Sequence, residues 1–313
     1  MATTPTVLVA TWKDGLFVIA GDTHQELRTQ TVEGLAPDRQ GGTLAIVNDR
    51  SLCRRAPDGA WQTVATTQVD LACCVAVGDE IYVGTEDARV LRVGQAAHVE
   101  EVRGFGAVAG RETWYAGSAV INGQRMGPPL GIRSITATAD GAVLLANVHV
   151  GGIPRSTDGG LTWTPTIDVN SDVHEVRAHP HRPGVVVAAA AVGLCVSHDA
   201  GVTWTVEQDG LHAAYCSAVA FAGDDVMVSA STDHFAAQGR VYRRSVDGAH
   251  ALVPVEGLPP WTDGIVDTGC IAARDTVIAF ADRAGNLHVS TDSGRSWSRC
   301  ASHLPPPSGV LII

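Results

Sequence analysis

Short segments rich in apolar residues recur along the whole chain, and turn-forming residues separate them. Residues 173–178, 185–191 and 194–197 are such segments, with Asp, Gly, Pro or Ser between or beside them. Segments of this length, bounded by turn residues, are typical of β-strands. The pattern therefore predicts an all-β protein built from many short strands.

A motif that occurs three times indicates how these strands are grouped. Its pattern is S-x-D-x-G-x-[ST]-W, and its copies are residues 156–163, 197–204 and 290–297. Weaker copies lie at residues 57–61 and 245–248. Successive motif aspartates from Asp158 onward are 41, 48 and 45 residues apart, a period that matches one four-stranded propeller blade. One seventh of the 313-residue chain is about 45 residues, so we predict seven blades.

The repeated motif resembles the Asp-box, or BNR repeat, of sialidase-like β-propellers. In such a turn, Asp and Ser side chains bond the backbone, glycine adopts a positive φ and tryptophan packs beside the hairpin. We therefore expect the boxes to be structural. The resemblance implies the propeller fold but not sialidase activity. The Arg-Ile-Pro signature is absent from the N-terminus, and of the three arginines that a sialidase needs we can place only Arg133 at the rim.

The two ends of the chain complement each other. The N-terminus supplies three predicted strands, at residues 6–11, 15–19 and 27–31, and the C-terminus ends in a lone apolar segment, residues 309–313. A terminal strand that completes the first blade would close the ring and remove its open edge. We therefore predict that the C-terminal strand joins the N-terminal blade.

The whole chain, residues 1–313, is predicted to form one propeller domain with one irregular insertion. The insertion, residues 104–129, contains Trp114, Tyr115 and Met126 together with several glycines and a Pro-Pro pair. Loops of this length in compact domains are often functional. The insertion is either a binding loop or a surface excursion that packs on the third blade.

Composition narrows the range of partners. The chain has 22 Lys and Arg against 33 Asp and Glu, a net charge of −11, so we expect no binding to nucleic acid or to a membrane surface. No apolar stretch approaches the roughly 18 residues that span a bilayer, and the N-terminus has no signal-peptide pattern. Seven cysteines without CxxC spacing indicate reduced thiols in a cytoplasmic protein. We expect a small-molecule substrate, and the oligomeric state is open.

One face of the predicted propeller, which we call the rim, carries the loops where inner strands begin and second strands end. Four histidines from the adjacent blades four, five and six map to the rim: His149, His174, His212 and His234. Imidazoles from neighbouring strands suit Zn, Mn, Fe or Cu, so these four are the predicted ligands of one divalent metal. The alternatives are a metal-free catalytic or binding rim and a channel of solvated histidines without a function.

Further rim residues complete the predicted site. His174, His212 and Tyr215 are the candidate catalytic residues, as acid–base groups. A Cys216 nucleophile paired with a histidine is a further alternative. The predicted substrate-binding residues are Trp12, Glu86, Arg133, Asn147, Asp233 and Trp261. All these assignments depend on strand register, since a shift of one residue turns a side chain to the opposite face.

The sequence favours an enzyme, a hydrolase or lyase that acts on a small polar substrate at a histidine-rich rim, with or without metal assistance. The alternative is a non-catalytic propeller that binds or assembles proteins, like the photosystem-assembly factors that resemble Asp-box proteins. Such a protein needs a broad interaction face and no cluster of titratable groups. A sialidase-like glycosidase ranks below both.

Overall fold

The structure, a computed structural model, describes residues 5–115, 119–121, 124–126, 130–248 and 250–313. Seven antiparallel sheets of four strands surround a central channel, and one of them carries a fifth short strand. The inner strand of each sheet contacts the inner strands of its two neighbours, which closes the ring. The predicted seven-bladed β-propeller is confirmed. Among the described residues, no helix is long and apolar enough to cross a membrane.

Each blade extends from an inner strand at the channel to an outer strand at the surface. In that order, blade 1 consists of Pro307–Ile312, Val7–Thr11, Leu16–Ala20 and Asp22–Glu26, and blade 2 of Val32–Pro37, Thr43–Val47, Ser51–Arg55 and Trp61–Thr66. Blade 3 consists of Leu71–Val77, Glu80–Thr85, Val90–Val93 and Val99–Glu101, and blade 4 of Ile132–Ala137, Leu144–Val148, Pro154–Ser156 and Thr164–Pro165.

The remaining blades follow the same order. Blade 5 consists of Val173–Ala178, Val186–Ala190, Gly193–Ser197 and Thr205–Glu207, and blade 7 of Ile271–Arg274, Val277–Ala281, Leu287–Ser290 and Ser298–Ala301. Blade 6 consists of Tyr215–Ala222, Asp225–Ser231, Gln238–Ser245 and Val253–Pro254, with Thr262–Asp263 paired to its third strand. The hairpin Ala119–Ile121 and Gln124–Met126 precedes blade 4, and the 3₁₀ turns are Gln95–Ala97, Arg103–Ala107, Arg111–Thr113 and Val169–Ser171.

The C-terminal strand closes the ring as predicted. It is the inner strand of blade 1, and it pairs antiparallel with Val7–Thr11 so that Val310 lies opposite Val9. The Val310 N–H donates to the Gly269 carbonyl of blade 7 at 2.8 Å, and the Ser308 hydroxyl donates to the Val32 carbonyl of blade 2. One strand thus links three blades.

Two strand predictions near the N-terminus were wrong. The outer strand of blade 1 is Asp22–Glu26 and not residues 27–31, since a polar strand at the exposed edge carries no apolar signal. The inner strand of blade 2, Val32–Pro37, was missed. Its apolar pattern is interrupted by Glu33 and by Gly34, whose φ of +59° accompanies a break in the pairing with Thr43–Val47.

The first part of the irregular insertion packs against blade 3, as one alternative predicted, and also against blade 4: Phe105 shares a hydrophobic cluster with Val90 of blade 3 and Trp163 of blade 4. Phe105 is buried, and its ring lies 5.0 Å from the ring of Trp163 and 5.7 Å from that of Trp114. Residues 104–115 are therefore a surface excursion that covers the hydrophobic side of a box. Residues 116–118, 122–123 and 127–129 lie outside the described residues, so a binding loop there stays a prediction.

The three complete boxes share one hydrogen-bond pattern. In blade 5, the Ser197 hydroxyl donates to Asp199 Oδ1 at 2.8 Å and accepts from the Gly201 N–H at 2.8 Å. Asp199 Oδ1 also accepts from the Thr203 N–H at 2.9 Å. Residues 156–163 and 290–297 repeat these contacts. The boxes therefore stabilise turns, as predicted.

Replacing Ser197 with alanine is expected to destabilise the protein by about 2 kcal/mol, because the change strands the buried Gly201 N–H and removes one partner of Asp199. Chemical denaturation monitored by tryptophan fluorescence measures this loss. The exposed Ser298, which has the same side chain on an outer strand, is the matched control and should change stability little. Equal effects at both positions would contradict the capping role.

Candidate functional site

A repeated irregularity of the inner strands shapes the channel. Between the first and second strands, the pairing skips one inner-strand residue in blades 3, 4 and 5: Ala72, Arg133 and His174. Such bulges leave a residue unpaired and redirect its side chain. The three positions are equivalent around the ring, and two of them carry chemical groups. A bulge at one position per blade therefore presents Arg133 and His174 to the site.

The side chain that follows each bulge hydrogen-bonds to the backbone of a neighbouring blade. The Cys73 thiol donates to the Ile132 carbonyl at 3.3 Å, Ser134 Oγ accepts from the Val176 N–H at 2.8 Å, and Glu175 Oε2 accepts from the Val219 N–H at 3.0 Å. Burial raises the pKa of the Cys73 thiol well above its ordinary value. These side chains hold blades together and are not reactive groups.

Three potential metal ligands converge where blades 4 and 5 meet. His149 follows the second strand of blade 4, while Asp172 and His174 begin blade 5, and donor atoms of all three lie within 4.8 Å of one another. Asp172 Oδ1 lies 3.5 Å from His149 Nε2 and 3.8 Å from His174 Nε2. Asp172 has a φ of +49°, a strained conformation that aspartate tolerates better than most residues. We call these three residues the His–Asp–His group.

The contacts of His174 define its tautomer. Its Nδ1 lies 2.6 Å from the carbonyl oxygen of Cys216, which can only accept, so Nδ1 carries the proton. The lone pair of Nε2 therefore faces Asp172 Oδ1, and both atoms are buried without a hydrogen-bond partner among the described residues. His174 is 5% exposed. Two facing acceptors are satisfied by a proton or a metal cation between them, and a backbone carbonyl on the far nitrogen is typical of a metal-bound histidine.

The protonation states also suit metal binding. Burial and the positive charge of Arg133 lower the pKa of His149 to about 3, and burial lowers the pKa of His174 as well. Both imidazoles are thus neutral near pH 7, which is the form that binds metal. Burial raises the pKa of Asp172, which the nearby His174 and Arg133 partly oppose.

The predicted set of four histidine ligands is not brought together as a whole. His149 and His174 belong to the His–Asp–His group, and His212 and His234 do not. The exposed His212 has its Nδ1 2.8 Å from the Tyr242 hydroxyl, and its ring lies 4.9 Å from that of Trp261. It thus forms a separate cluster on blade 6.

The other blade 6 histidine lies near the channel without joining the His–Asp–His group. The Arg283 guanidinium donates to the His234 carbonyl at 2.7 Å and to Asp267 Oδ2 at 3.3 Å. Burial lowers the pKa of His234. Asp267 opposes this shift, and Arg283 adds to it. The sequence prediction overlooked Asp172 because strand register, not spacing along the chain, brings it between the histidines.

The predicted acid–base groups differ in their surroundings. The ring of Tyr215 lies 4.5 Å from that of His174, and burial raises the pKa of its hydroxyl, which therefore stays protonated as a hydrogen-bond donor. Cys216 is fully buried, and burial raises the pKa of its thiol. A Cys216 nucleophile is therefore not supported, because the reactive thiolate does not form.

The predicted substrate-binding residues fall into two sets. Trp12, Glu86 and Arg133 line one cavity at the centre of the ring. The others lie elsewhere: Asn147 is fully buried and donates to the Val173 carbonyl at 2.9 Å, and Asp233 accepts from the Phe235 N–H at 2.7 Å. Trp261 belongs to the His212 cluster. Asn147 thus links blade 4 to the inner strand of blade 5, and Asp233 holds the backbone of its own loop.

The central cavity has a volume of ≈ 100 Å³ and is lined by inner strands and rim loops of six blades. Its charged lining includes Glu33, which sequence reasoning missed together with its strand. Arg177 is paired with the buried Glu175 at 2.7 Å, whereas Arg133 forms no hydrogen bond or ion pair with the part of the chain that the structure describes. Thr268, which lines the cavity, donates its hydroxyl to the His174 carbonyl at 3.4 Å, so the cavity adjoins the His–Asp–His group.

Comparison with known proteins places the chain by its fold. No protein-family model matches it, and no curated protein sequence matches it. A putative 6-phosphogluconolactonase from Bacteroides uniformis shares 14% identity with a TM-score of 0.67 over 99% of each chain. The designed protein Ika8 shares 12% identity with a TM-score of 0.61, over 97% of this chain and 86% of that one. The common feature is the β-propeller.

A larger enzyme also contains this fold. The GH74 enzyme of Niastella koreensis shares 16% identity with a TM-score of 0.59, over 96% of this chain and 46% of that one. This chain thus spans slightly less than half of that enzyme. At these identities, the similarity extends to the fold alone.

Proposed function

We propose that this protein is a hydrolase that acts on a small polar substrate at the rim end of the central channel. In this proposal, one divalent transition metal, Zn, Mn, Fe or Cu, is held by His149, Asp172 and His174. The observation that carries the proposal is the buried Nε2 of His174, which faces Asp172 Oδ1 while the Nδ1 proton is held by the Cys216 carbonyl. Two imidazoles and one carboxylate are a common donor set for these metals.

The remaining residues would supply recognition and proton transfer. His149, Asp172 and His174 would hold the metal with a coordination position left open, and the metal would supply Lewis-acid activation of water or of a substrate oxygen. The protonated Tyr215 hydroxyl can donate a hydrogen bond close to His174. Trp12 and Arg133, which has no ion-pair partner among the described residues, can hold the rest of the substrate in the cavity. Hydrolases among proteins of similar fold support this reaction class by analogy only.

We further propose that the chain is a single-domain, Asp-box type propeller that works in the cytoplasm. Its three complete boxes support the relationship to Asp-box proteins. All seven cysteines are free thiols, which agrees with a reducing compartment.

Metal dependence tests the proposed activity. We expect protein purified without chelator to contain about one transition-metal ion per chain. It should hydrolyse some members of a panel of p-nitrophenyl esters, lactones and phosphomonoesters. Removal of the metal by a chelator should lower the rate about 100-fold or more, because water activation is lost, and adding back the metal should restore it. Mass spectrometry of bound metals and rates before and after chelation give the result. Hydrolysis by a metal-free protein at an unchanged rate would contradict the metal-assisted mechanism.

A further inference from the structure

Glu33 is a channel residue whose position is set by its backbone. It lies on the inner strand of blade 2 and lines the central cavity together with Glu86 and Arg133. The pairing of that strand is irregular between Glu33 and Ala36. The residue after Glu33 is glycine because a side chain does not fit there: a Cβ at Gly34 would lie 2.8 Å from Ile46 Cδ1 and 3.0 Å from the Ala72 carbonyl oxygen.

The charges around Glu33 come from four neighbouring elements. Glu86 lies on the rim loop of blade 3, Asp49 on that of blade 2, and Asp70 just before the inner strand of blade 3, while Arg133 faces it from blade 4. Burial, reinforced by Glu86 and Asp49 and opposed by Arg133, raises the pKa of Glu33 to about 8. Its carboxyl group is therefore mostly protonated near pH 7.

Three other carboxyl groups line the cavity, and two of them have hydrogen-bond partners. The third, Glu86, has none among the described residues, and burial raises its pKa. Glu175 is fully buried, accepts from Arg177, and also accepts the N–H groups of Val219 and Gly269. Asp267 accepts from Arg283. Glu33 has no such partner among the described residues, so its proton is available to a bound molecule.

We propose that Glu33 is the proton donor of the channel, acting on a substrate whose reacting bond lies between it and the His–Asp–His group. This inference rests on the proposed hydrolase function. Arg133 lies between the two, because it lines the cavity with Glu33 and is two residues from Gly131, whose carbonyl accepts the His149 N–H at 3.2 Å. The substrate class that needs such a donor is an ester or lactone with an alkoxide leaving group, which departs poorly unless it is protonated.

The reaction balances without a further reagent. The oxygen of a water molecule bonds to the acyl carbon, and the bond from that carbon to the leaving oxygen breaks. The Glu33 proton passes to the leaving oxygen, which departs as an alcohol. One proton of the attacking water then returns, through solvent, to the Glu33 carboxylate. Ester and water are thus converted to acid and alcohol, and Glu33 is regenerated.

Carbon-13 NMR of protein labelled at the glutamate carboxyl groups tests the protonation of Glu33 without any substrate. In the wild type, we expect one carboxyl resonance whose pH titration has its midpoint near pH 8. This resonance should be absent from Glu33→Gln. It should be retained in Glu100→Gln, a control at a surface residue that is paired with Arg92. A Glu33 midpoint at the ordinary carboxyl value overturns the proposal.

Leaving-group dependence tests the donor role itself. With an alkyl ester or lactone, Glu33→Gln should be slower by about 100-fold, whereas with p-nitrophenyl acetate, whose leaving group needs no proton, it should remain close to wild type. Glu33→Asp should recover part of the alkyl ester rate, and bound metal should stay unchanged in both variants. The wild-type alkyl ester rate should fall as the pH rises through about 8, because Glu33 then loses its proton, and Glu33→Gln should lack this fall.

The outcomes separate the two proposals. The donor role is overturned if Glu33→Gln loses the same fraction of its rate with both ester types, or if its pH profile is the same as that of the wild type. Neither result contradicts the proposed hydrolase function. A wild-type protein that hydrolyses neither ester overturns the proposed function and the donor role with it. If Glu33→Gln loses rate only with the alkyl ester and keeps the wild-type metal content, the result supports both the hydrolase function and the donor role.

Discussion

Changing His149 and His174 together to alanine is expected to abolish metal binding. The double variant keeps Asp172 as the single member of the His–Asp–His group, and one carboxylate does not hold a transition metal against buffer. Both imidazoles are neutral and can bind metal, and alanine offers no ligand atom in their place. We expect the affinity to fall on the order of 1,000-fold or more. Metal content by mass spectrometry and titration calorimetry with Zn²⁺ measure the loss.

His212→Ala is the matched control for this experiment. His212 was among the ligands predicted from sequence, but its Nδ1 contacts the Tyr242 hydroxyl and it lies outside the His–Asp–His group. The control should therefore retain the metal content of the wild type. Thermal unfolding of the metal-free proteins shows whether the double variant is folded. A folded double variant that retains the full metal content would disprove the site.

Removing residues 307–313 is expected to prevent stable folding of the ring. The deleted strand pairs with Val7–Thr11 and hydrogen-bonds to blades 2 and 7, so its loss opens three blades at once. Val310 and Ile312 are buried in a hydrophobic cluster that joins blades 1, 6 and 7. Burying each such side chain stabilises by about 1.5–3 kcal/mol, and the strand pairing adds to this. The total is comparable with the about 5–15 kcal/mol that stabilises a typical protein.

Circular dichroism during heating tests this expectation, and a point variant makes it sharper. Val310→Asp buries a charge at the centre of the closing strand and should lower the unfolding midpoint strongly or leave the protein insoluble. Val202→Asp introduces the same side chain at an exposed box position and should have little effect. A truncated chain that unfolds as cooperatively as the wild type would show that closure is not needed.

The residues that hold neighbouring blades together are different from those proposed to bind metal and substrate. Cys73, Ser134 and Glu175 bond to the backbone of neighbouring blades, one residue after the bulge positions. Arg133 and His174 occupy the bulges themselves and form the site. Adjacent residues on one strand thus divide between holding the ring and carrying the proposed chemistry, because a bulge redirects the side chain that it leaves unpaired.

The fold could be predicted from the amino-acid sequence because its signals are local. Each box closes through contacts between residues two to four positions apart, such as Ser197 with Asp199 and Gly201. The apolar segment at the C-terminus likewise required a partner strand, and it has one. Hydrogen bonds and apolar periodicity of this short range leave a clear pattern in the letters.

The composition of the site depended on tertiary structure. Asp172 joins His149 from another blade, and Glu33 reaches the cavity from a strand whose apolar pattern is broken. Both residues lie beside bulges of the inner strands, and their placement depends on how neighbouring inner strands pack. A bulge shifts side chains to another face without changing the hydrophobic pattern of the chain as a whole. For that physical reason, the chain alone predicts a propeller with a histidine-rich rim, and the folded ring decides which of those histidines meet.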